Sequence, residues 1–326
     1  CLVGSEMCIR DSKDSGRFGP KDKMTTVKPD PSMIGGVAKV SLARLPDPPA
    51  LFRARSERLA FLAGHNPNLG PYLRFLAAIC DAQSQVAAQL PAPDLPSAER
   101  LQQARSAAMP PLGPSDLRAG LARTLDRLLE RLGPIDMPQP ARLALDALRD
   151  ATPSDRDWVL ENVLAGTIPA DSVAPHLFAA AALQVHAALA ASGLQADRLV
   201  PVGIGTCPAC GGRPVASLVT ENIGAEGARY CSCATCQTLW NEVRVKCTCC
   251  GSTKGITYRS VEVEDAAVKA EICRECGKWV KILYQNKNPT LEAVADDVAS
   301  LGLDLMMRDT DWVRGCLLYT SPSPRD

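Results

Sequence analysis

The sequence is short of the features that mark most enzymes and most nucleic-acid or membrane proteins. Of its 326 residues only 4% are aromatic and three are histidine, and its 36 basic and 36 acidic side chains cancel. Zero net charge argues against wholesale electrostatic capture of nucleic acid or of an anionic membrane. The most apolar stretch, Leu177 to Ala191, is broken by Gln184 and His186. It is shorter than the ~20 residues a bilayer span needs, so no transmembrane helix is read. There is no Gly-rich phosphate loop and no nucleophile elbow. No two histidines stand at i, i+4, so a helical metalloprotease site is excluded. His65, His176 and His186 are read as structural. At ~100–200 residues per domain, the length predicts two domains or three.

The ends also lack structure signals. Residues 1–12 (CLVGSEMCIRDS) and 316–326 (CLLYTSPSPRD) have neither periodicity nor caps. They resemble translated sequencing-adapter read-through and are set apart as non-native. Met24 is then read as the start, and residues 1–49 are expected to be disordered or non-native. No apolar h-region follows Met24, which predicts a cytoplasmic chain in a reducing environment.

What the sequence has is cysteine, unevenly placed. Without the end segments eleven remain: Cys80 alone, and ten between Cys207 and Cys276. Residues 50–195 are instead rich in Ala, Leu, Arg and Pro. Apolar residues recur there at i, i+3, i+4 and i+7, as amphipathic helices require. Helices are predicted from Leu51 to Gly64, Tyr72 to Leu90, Ser97 to Ala108, Ser115 to Leu132, Pro140 to Asp150, Ser154 to Leu164 and Ser172 to Ser192. Abundant alanine predicts close packing without a roomy cavity.

The cysteine-rich part contains four C-x-x-C pairs: Cys207/Cys210, Cys233/Cys236, Cys247/Cys250 and Cys273/Cys276. Adding 40 to each of the first four positions gives the second four. The repeat is two units, each with two pairs. Two residues between cysteines let a tight loop aim both sulfurs at one ion, and two such knuckles make a tetrahedral four-sulfur site. Gly211, Gly251 and Gly277 follow three of the knuckles, where a positive φ turns backbone N–H groups toward sulfur. Gln237 departs from that rule. With no histidine between 207 and 276, ligation is expected to be all-cysteine, for two ions of Zn or Fe. Lys246, Lys254, Lys269, Arg274 and Lys278 are candidates to soften the negative charge. Each unit is too small for its own core, so metal binding would supply its folding energy.

Sequential pairing, 207/210/233/236 and 247/250/273/276, is favoured over an interleaved cross-brace. Cys231 and Cys249 are surplus and are read as free thiols. Strands are predicted at Val215–Thr220, Leu239–Val245, Ile256–Val263 and Trp279–Tyr284. The class is α+β: a helical domain at 50–198, rubredoxin-like or zinc-ribbon modules at 199–244 and 245–287, and a C-terminal helix within 288–315. That helix is capped at Asn288-Pro289 and shows Leu291, Val294, Val298, Leu301 and Leu305 on one face. Its acids, Glu292, Asp296, Asp297 and Asp304, are expected in solvent.

These motifs resemble the FdhE family, the formate dehydrogenase accessory proteins. The likeness lies in CPACG at 207–211, RYCSCATC at 229–236, NEVRVKCTCCG at 241–251 and KAEICRECGKWVKILYQNKNPTLEAVADDVASLGLD at 269–304. Upstream, LFRARSERLAFLAGHNPNLGPYLRFLAAICDAQ at 51–83 matches as well. The resemblance implies a helical domain followed by two rubredoxin-like metal modules on the eight paired cysteines, with iron favoured and zinc possible. It also implies a non-catalytic cytoplasmic protein that binds the catalytic subunit of respiratory formate dehydrogenase during maturation. Cys231 is outside the family pattern, and the family's C-terminal end is not matched beyond Gly315.

Two other classes are weighed. A zinc-ribbon nucleic-acid binder would need a basic face, but residues 207–281 hold ten Lys/Arg and eight Asp/Glu, a net +2. A rubredoxin-like electron carrier would need iron with a reversible couple.

Overall fold

The computed structural model describes residues 40–220, 227–261 and 266–315. The two ends set apart above lie outside the described residues.

The helical part begins with α1 (Pro48–His65) and α2 (Gly70–Gln89), which pack as a hairpin. Asp47 caps α1, accepting from Ala50 N, and Pro48 and Pro49 occupy first-turn positions where no backbone donor is needed. Then come α3 (Ala98–Ser106), α4 (Pro114–Arg118), α5 (Leu121–Leu132), α6 (Gln139–Asp150), α7 (Pro153–Ala165) and α8 (Val173–Ser192). The single helix predicted over Ser115–Leu132 is two, because Gly120 takes φ +78 and ends the first. A Cβ at Gly120 would stand 3.5 Å from His186 Cε1, an ordinary contact, so the left-handed backbone and not space is what calls for glycine.

α8 packs against α1, α2, α4, α5, α6 and α7. Residues 170–192 are long and apolar enough to cross a membrane by length and composition alone, more than the sequence reading allowed. In this fold Phe178, Leu183, Val185 and Leu189 are buried against the other helices. Each such side chain contributes roughly 1.5–3 kcal/mol through burial. The expectation of close packing without a roomy cavity is not met everywhere. A cavity of about 180 Å³ lies between α1, α2 and α8, lined in part by Leu59, Phe75, Ile79 and Phe178. The small side chains of Ala180 and Ala181 border it and do not fill it.

Strands follow: β1 (Ala43–Arg44, before α1), β2 (Pro214–Val219), β3 (Arg229–Cys233), β4 (Leu239–Glu242), β5 (Ile256–Arg259), β6 (Val268–Cys273) and β7 (Lys278–Tyr284). β3 and β6 are missing from the sequence reading, since RYCSC and VKAEIC show cysteines and charges where an apolar run is sought. Two antiparallel three-stranded units, β2–β3–β4 and β5–β6–β7, carry the two halves of the repeat. They do not stand apart. β2 pairs in parallel with β7, so the order is β1-β4-β3-β2-β7-β6-β5 in one sheet.

The segment 40–49 is part of the fold, which corrects its assignment to a disordered or non-native stretch. Ala43 pairs with Trp240, Asn241 N donates to Leu42 O at 2.8 Å, and the Arg44 guanidinium stacks over Tyr230. The C-terminal helix is also two, α9 (Ala293–Ala299) and α10 (Leu301–Arg308), followed by β8 (Val313–Arg314) beside β7. Glu292, not Asn288, caps α9 by accepting from Val294 N and Ala295 N. Asp296 and Asp297 are buried in ion pairs, not solvated, whereas Leu305 is exposed. The class is α+β as expected.

Candidate metal centres

Each cysteine pair sits at a strand end or a tight turn, and the turns share one geometry. Gly211, Gly251 and Gly277 have φ of +76, +79 and +68. Gln237 has φ +63, so the departure is in the residue and not in the backbone. Gly211 N donates to Cys207 O, Gly251 N to Cys247 O and Gly277 N to Cys273 O, at 2.9, 2.9 and 3.1 Å. Backbone amides reach sulfur in the Gln237 and Gly251 turns. Thr235 N and Cys236 N each donate to Cys233 Sγ at 3.4 Å, and Cys249 N donates to Cys247 Sγ at 3.3 Å.

The fold gathers Cys207, Cys210, Cys233 and Cys236 in one cluster and Cys247, Cys250, Cys273 and Cys276 in another. Within each, all four sulfurs lie within 4.8 Å of one another. The nearest are Cys207–Cys236 at 3.6 Å, Cys210–Cys233 at 3.5 Å, Cys247–Cys276 at 3.7 Å and Cys250–Cys273 at 3.7 Å. Metal–sulfur bonds of about 2.3 Å in a tetrahedron put sulfurs about 3.8 Å apart, close to these distances. The grouping is the sequential one; the interleaved sets are not brought together. Each cluster could hold one ion.

Electrostatics point the same way. Burial pushes the Cys207 thiol well up. Cys233 is buried too, but donation from Cys207, Cys210 and Cys236 outweighs its burial and holds it well below the usual thiol range. Four buried thiolates need a compensating positive charge, which a divalent or trivalent ion supplies.

The clusters differ in exposure. Cys207, Cys233 and Cys236 are fully buried, whereas Cys250 lies at the surface and Cys276 is half-buried. The two surplus cysteines join neither cluster. Cys231 is buried 3.6 Å from Ser217 Oγ, and burial pushes its thiol up to about 12. Cys249 is pushed up to about 11, first by burial and then by Cys247. Of the cations proposed to soften the sites, Lys246 pairs with Glu242 at 3.2 Å and Lys269 lies over the Tyr284 ring.

The histidines have protein partners: His65 Nδ1 meets Phe61 O at 2.8 Å, His176 Nδ1 meets Ser172 O at 2.5 Å, and His186 Nδ1 meets Thr124 Oγ1 at 2.9 Å. The sequence reading missed the polar groups that join the two units. Arg229 Nη2, on β3, donates to Glu271 Oε1 on β6 at 2.8 Å and to Ser217 Oγ at 2.9 Å. Its Nη1 donates to Lys246 O at 2.9 Å, in the link between the units. Both ion-pair partners are almost wholly buried. A charged residue at each strand was visible in the sequence, but nothing paired them.

The comparisons with known proteins agree along the whole described chain. Models described as FdhE, N-terminal; FdhE, central domain; and FdhE, C-terminal domain match residues 40–204, 206–244 and 245–319. The chain is 50% identical over 299 residues to a Protein FdhE homolog of Rhizobium meliloti (strain 1021), covering 89% of this chain and 96% of that one. It is 37% identical over 274 residues to Protein FdhE of Salmonella typhimurium (strain LT2), covering 82% and 86%. A crystal structure of the FdhE protein from Pseudomonas aeruginosa superposes with a TM-score of 0.76 at 33% identity, covering 87% of this chain and 99% of that chain. Model matches across all three regions and identity well above 30% over most of both chains lead to one conclusion: the chain belongs to the FdhE family.

Proposed function

We propose that this chain is a non-catalytic accessory protein for respiratory formate dehydrogenase. It binds the enzyme's catalytic subunit in the cytoplasm during maturation. Membership of the FdhE family supports the link to formate dehydrogenase, and the non-catalytic part of this reading is carried by the pair of four-cysteine clusters. Each supplies four ligands to one ion and leaves no position for a reacting water, so the ions hold the fold and do not turn over substrate. Cys207, Cys210, Cys233 and Cys236 hold the first ion. Cys247, Cys250, Cys273 and Cys276 hold the second. Iron is favoured and zinc is the alternative. The sequence units proposed are 50–198, 199–244, 245–287 and 288–315, with the middle two folding as one body through the β2–β7 pairing.

The test is anaerobic purification with elemental analysis and recovery of the client. Two ions per chain and co-purification of a formate dehydrogenase catalytic subunit, unaffected by nuclease, are expected. Failure to recover any such subunit, or fewer than two ions, would overturn the reading.

A further inference from the structure

α3 is the α-helix among the described residues that buries no side chain. It is tied to the body by Arg100, whose Nη1 and Nη2 donate to the two Asp116 carboxylate oxygens at 2.9 and 3.1 Å. Between α3 and the segment 193–200 lies a groove of about 270 Å³. α3 lines it with Ala98, Leu101, Gln102 and Arg105, at i, i+3, i+4 and i+7, which is one face of the helix. Leu194 and Val200 line it from the opposite segment, and Met109 stands 59% exposed among its lining residues. Ala108, just before Met109, takes φ +49, a left-handed conformation that a side chain disfavours. Such strain persists where the surroundings enforce it, and it gathers at functional surfaces.

The charge in this groove is of one sign. Among the described residues, Arg105 and Arg198 are the only charged ones that line it, and no carboxylate does. Both are exposed, and neither guanidinium has a hydrogen-bond or ion-pair partner among the described residues. An apolar interior with cations at its rim is complementary to a helix that is apolar on one face and acidic beside it. The groove also reaches the first cysteine cluster. Pro208, between Cys207 and Cys210, lines it, and Leu112 N donates to Ala209 O at 3.0 Å.

We propose that this groove is a protein-docking site, and that its occupant is an amphipathic partner helix whose apolar face is flanked by Asp and Glu. The occupant lies against α3 and beside the Cys207–Cys210 loop. Its carboxylates pair with Arg105 and Arg198.

Fluorescence anisotropy of the full chain with two labelled peptides tests this. Both peptides carry Leu at i, i+3, i+4 and i+7 over about four helical turns. One has Glu at the other positions and the other has Lys. The Glu peptide is expected to bind about tenfold more tightly than the Lys peptide, and less tightly as salt is raised. R105E/R198E should reverse that preference while leaving melting temperature and metal content unchanged, because both side chains are exposed and unpaired. Met109→Glu should weaken the Glu peptide without altering metal content. No binding of the Glu peptide, equal affinity for the two, or an unchanged preference in R105E/R198E would overturn the proposal. The measurement uses no formate dehydrogenase, so its failure is distinct from failure of the maturation reading.

Discussion

Arg55 in α1 donates through Nη2 to Gln237 Oε1 at 2.7 Å, across 182 residues of chain. Gln237 closes the second knuckle of the first cysteine cluster, and its Nε2 donates back to Ala234 O at 3.1 Å. Arg55 also donates to Glu292 through Nε and Nη2, at 3.1 and 2.9 Å. One guanidinium thus joins the first helix, the first cluster and the C-terminal helices. This explains why glutamine stands where the other three knuckles have glycine. The left-handed backbone costs a side chain roughly 1–2 kcal/mol. A buried hydrogen bond to a charged group contributes roughly 1.5–3 kcal/mol, enough to offset it.

Gln237→Ala keeps the unfavourable φ and loses the bond, so it should destabilise by about 2–3 kcal/mol. Gln237→Gly also loses the bond but relieves the backbone, recovering about 1 kcal/mol. Urea unfolding of the metal-loaded protein should therefore rank wild type above Gly above Ala. Finding Ala as stable as Gly would show that the backbone there is unstrained.

The C-terminal helices are held to α1 by a second clamp. Arg58 Nη2 and Asp296 Oδ1 are 2.6 Å apart, and Nε donates to the same carboxylate at 3.0 Å. Both side chains are at most one-tenth exposed. Removing one partner of a buried pair costs roughly 3–5 kcal/mol, so Asp296→Ala should lower stability by about that much. Hydrogen exchange should show α9 opening first. Uniform loss of protection across the chain would count against a local clamp.

The unequal exposure of the clusters predicts an order of metal loss. A chelator reaches Cys250 at the surface before the buried sulfurs of the first cluster. Metal release should be biphasic, and Cys250→Ser should remove the fast phase while keeping one ion. Cys207→Ser should lose the first ion and lower the melting temperature further, because Cys207, Cys233 and Cys236 are packed in the same buried core as the helices and no cysteine of the second cluster is. Release in a single phase would contradict this.

His186 is buried, and burial lowers its pKa below the ordinary value. The unfolded chain then binds the proton more readily than the folded one. The stability this contributes is present above the unfolded pKa of about 6.5 and is lost as pH falls below it and through the lower folded pKa. His186→Gln should flatten the dependence of stability on pH between neutral and mildly acidic conditions. An unchanged slope would place the effect elsewhere.

Much of the site was legible in the sequence because its information is local. Two residues between cysteines, a turn residue after the second, and a spacing repeated at 40 positions are chain properties, and the sulfur clusters follow from them. Helices with strong periodicity were legible too, though Gly120 divided one and Ser300 divided another. The joining of the two units was not. Arg229 and Glu271 are 42 residues apart, and the parallel β2–β7 pairing joins the first strand of one unit to the last of the other. Nor could spacing reveal that Asp296 and Asp297 are buried, because a carboxylate leaves water only when cations from distant segments, here Arg58, Lys281 and Arg314, surround it. By itself the sequence determined the helices and the two sets of thiols, since short-range geometry suffices for both. Tertiary structure alone decided that the halves share one sheet and which charges are sealed inside, since both depend on groups of separate elements meeting, from 16 to 238 residues apart.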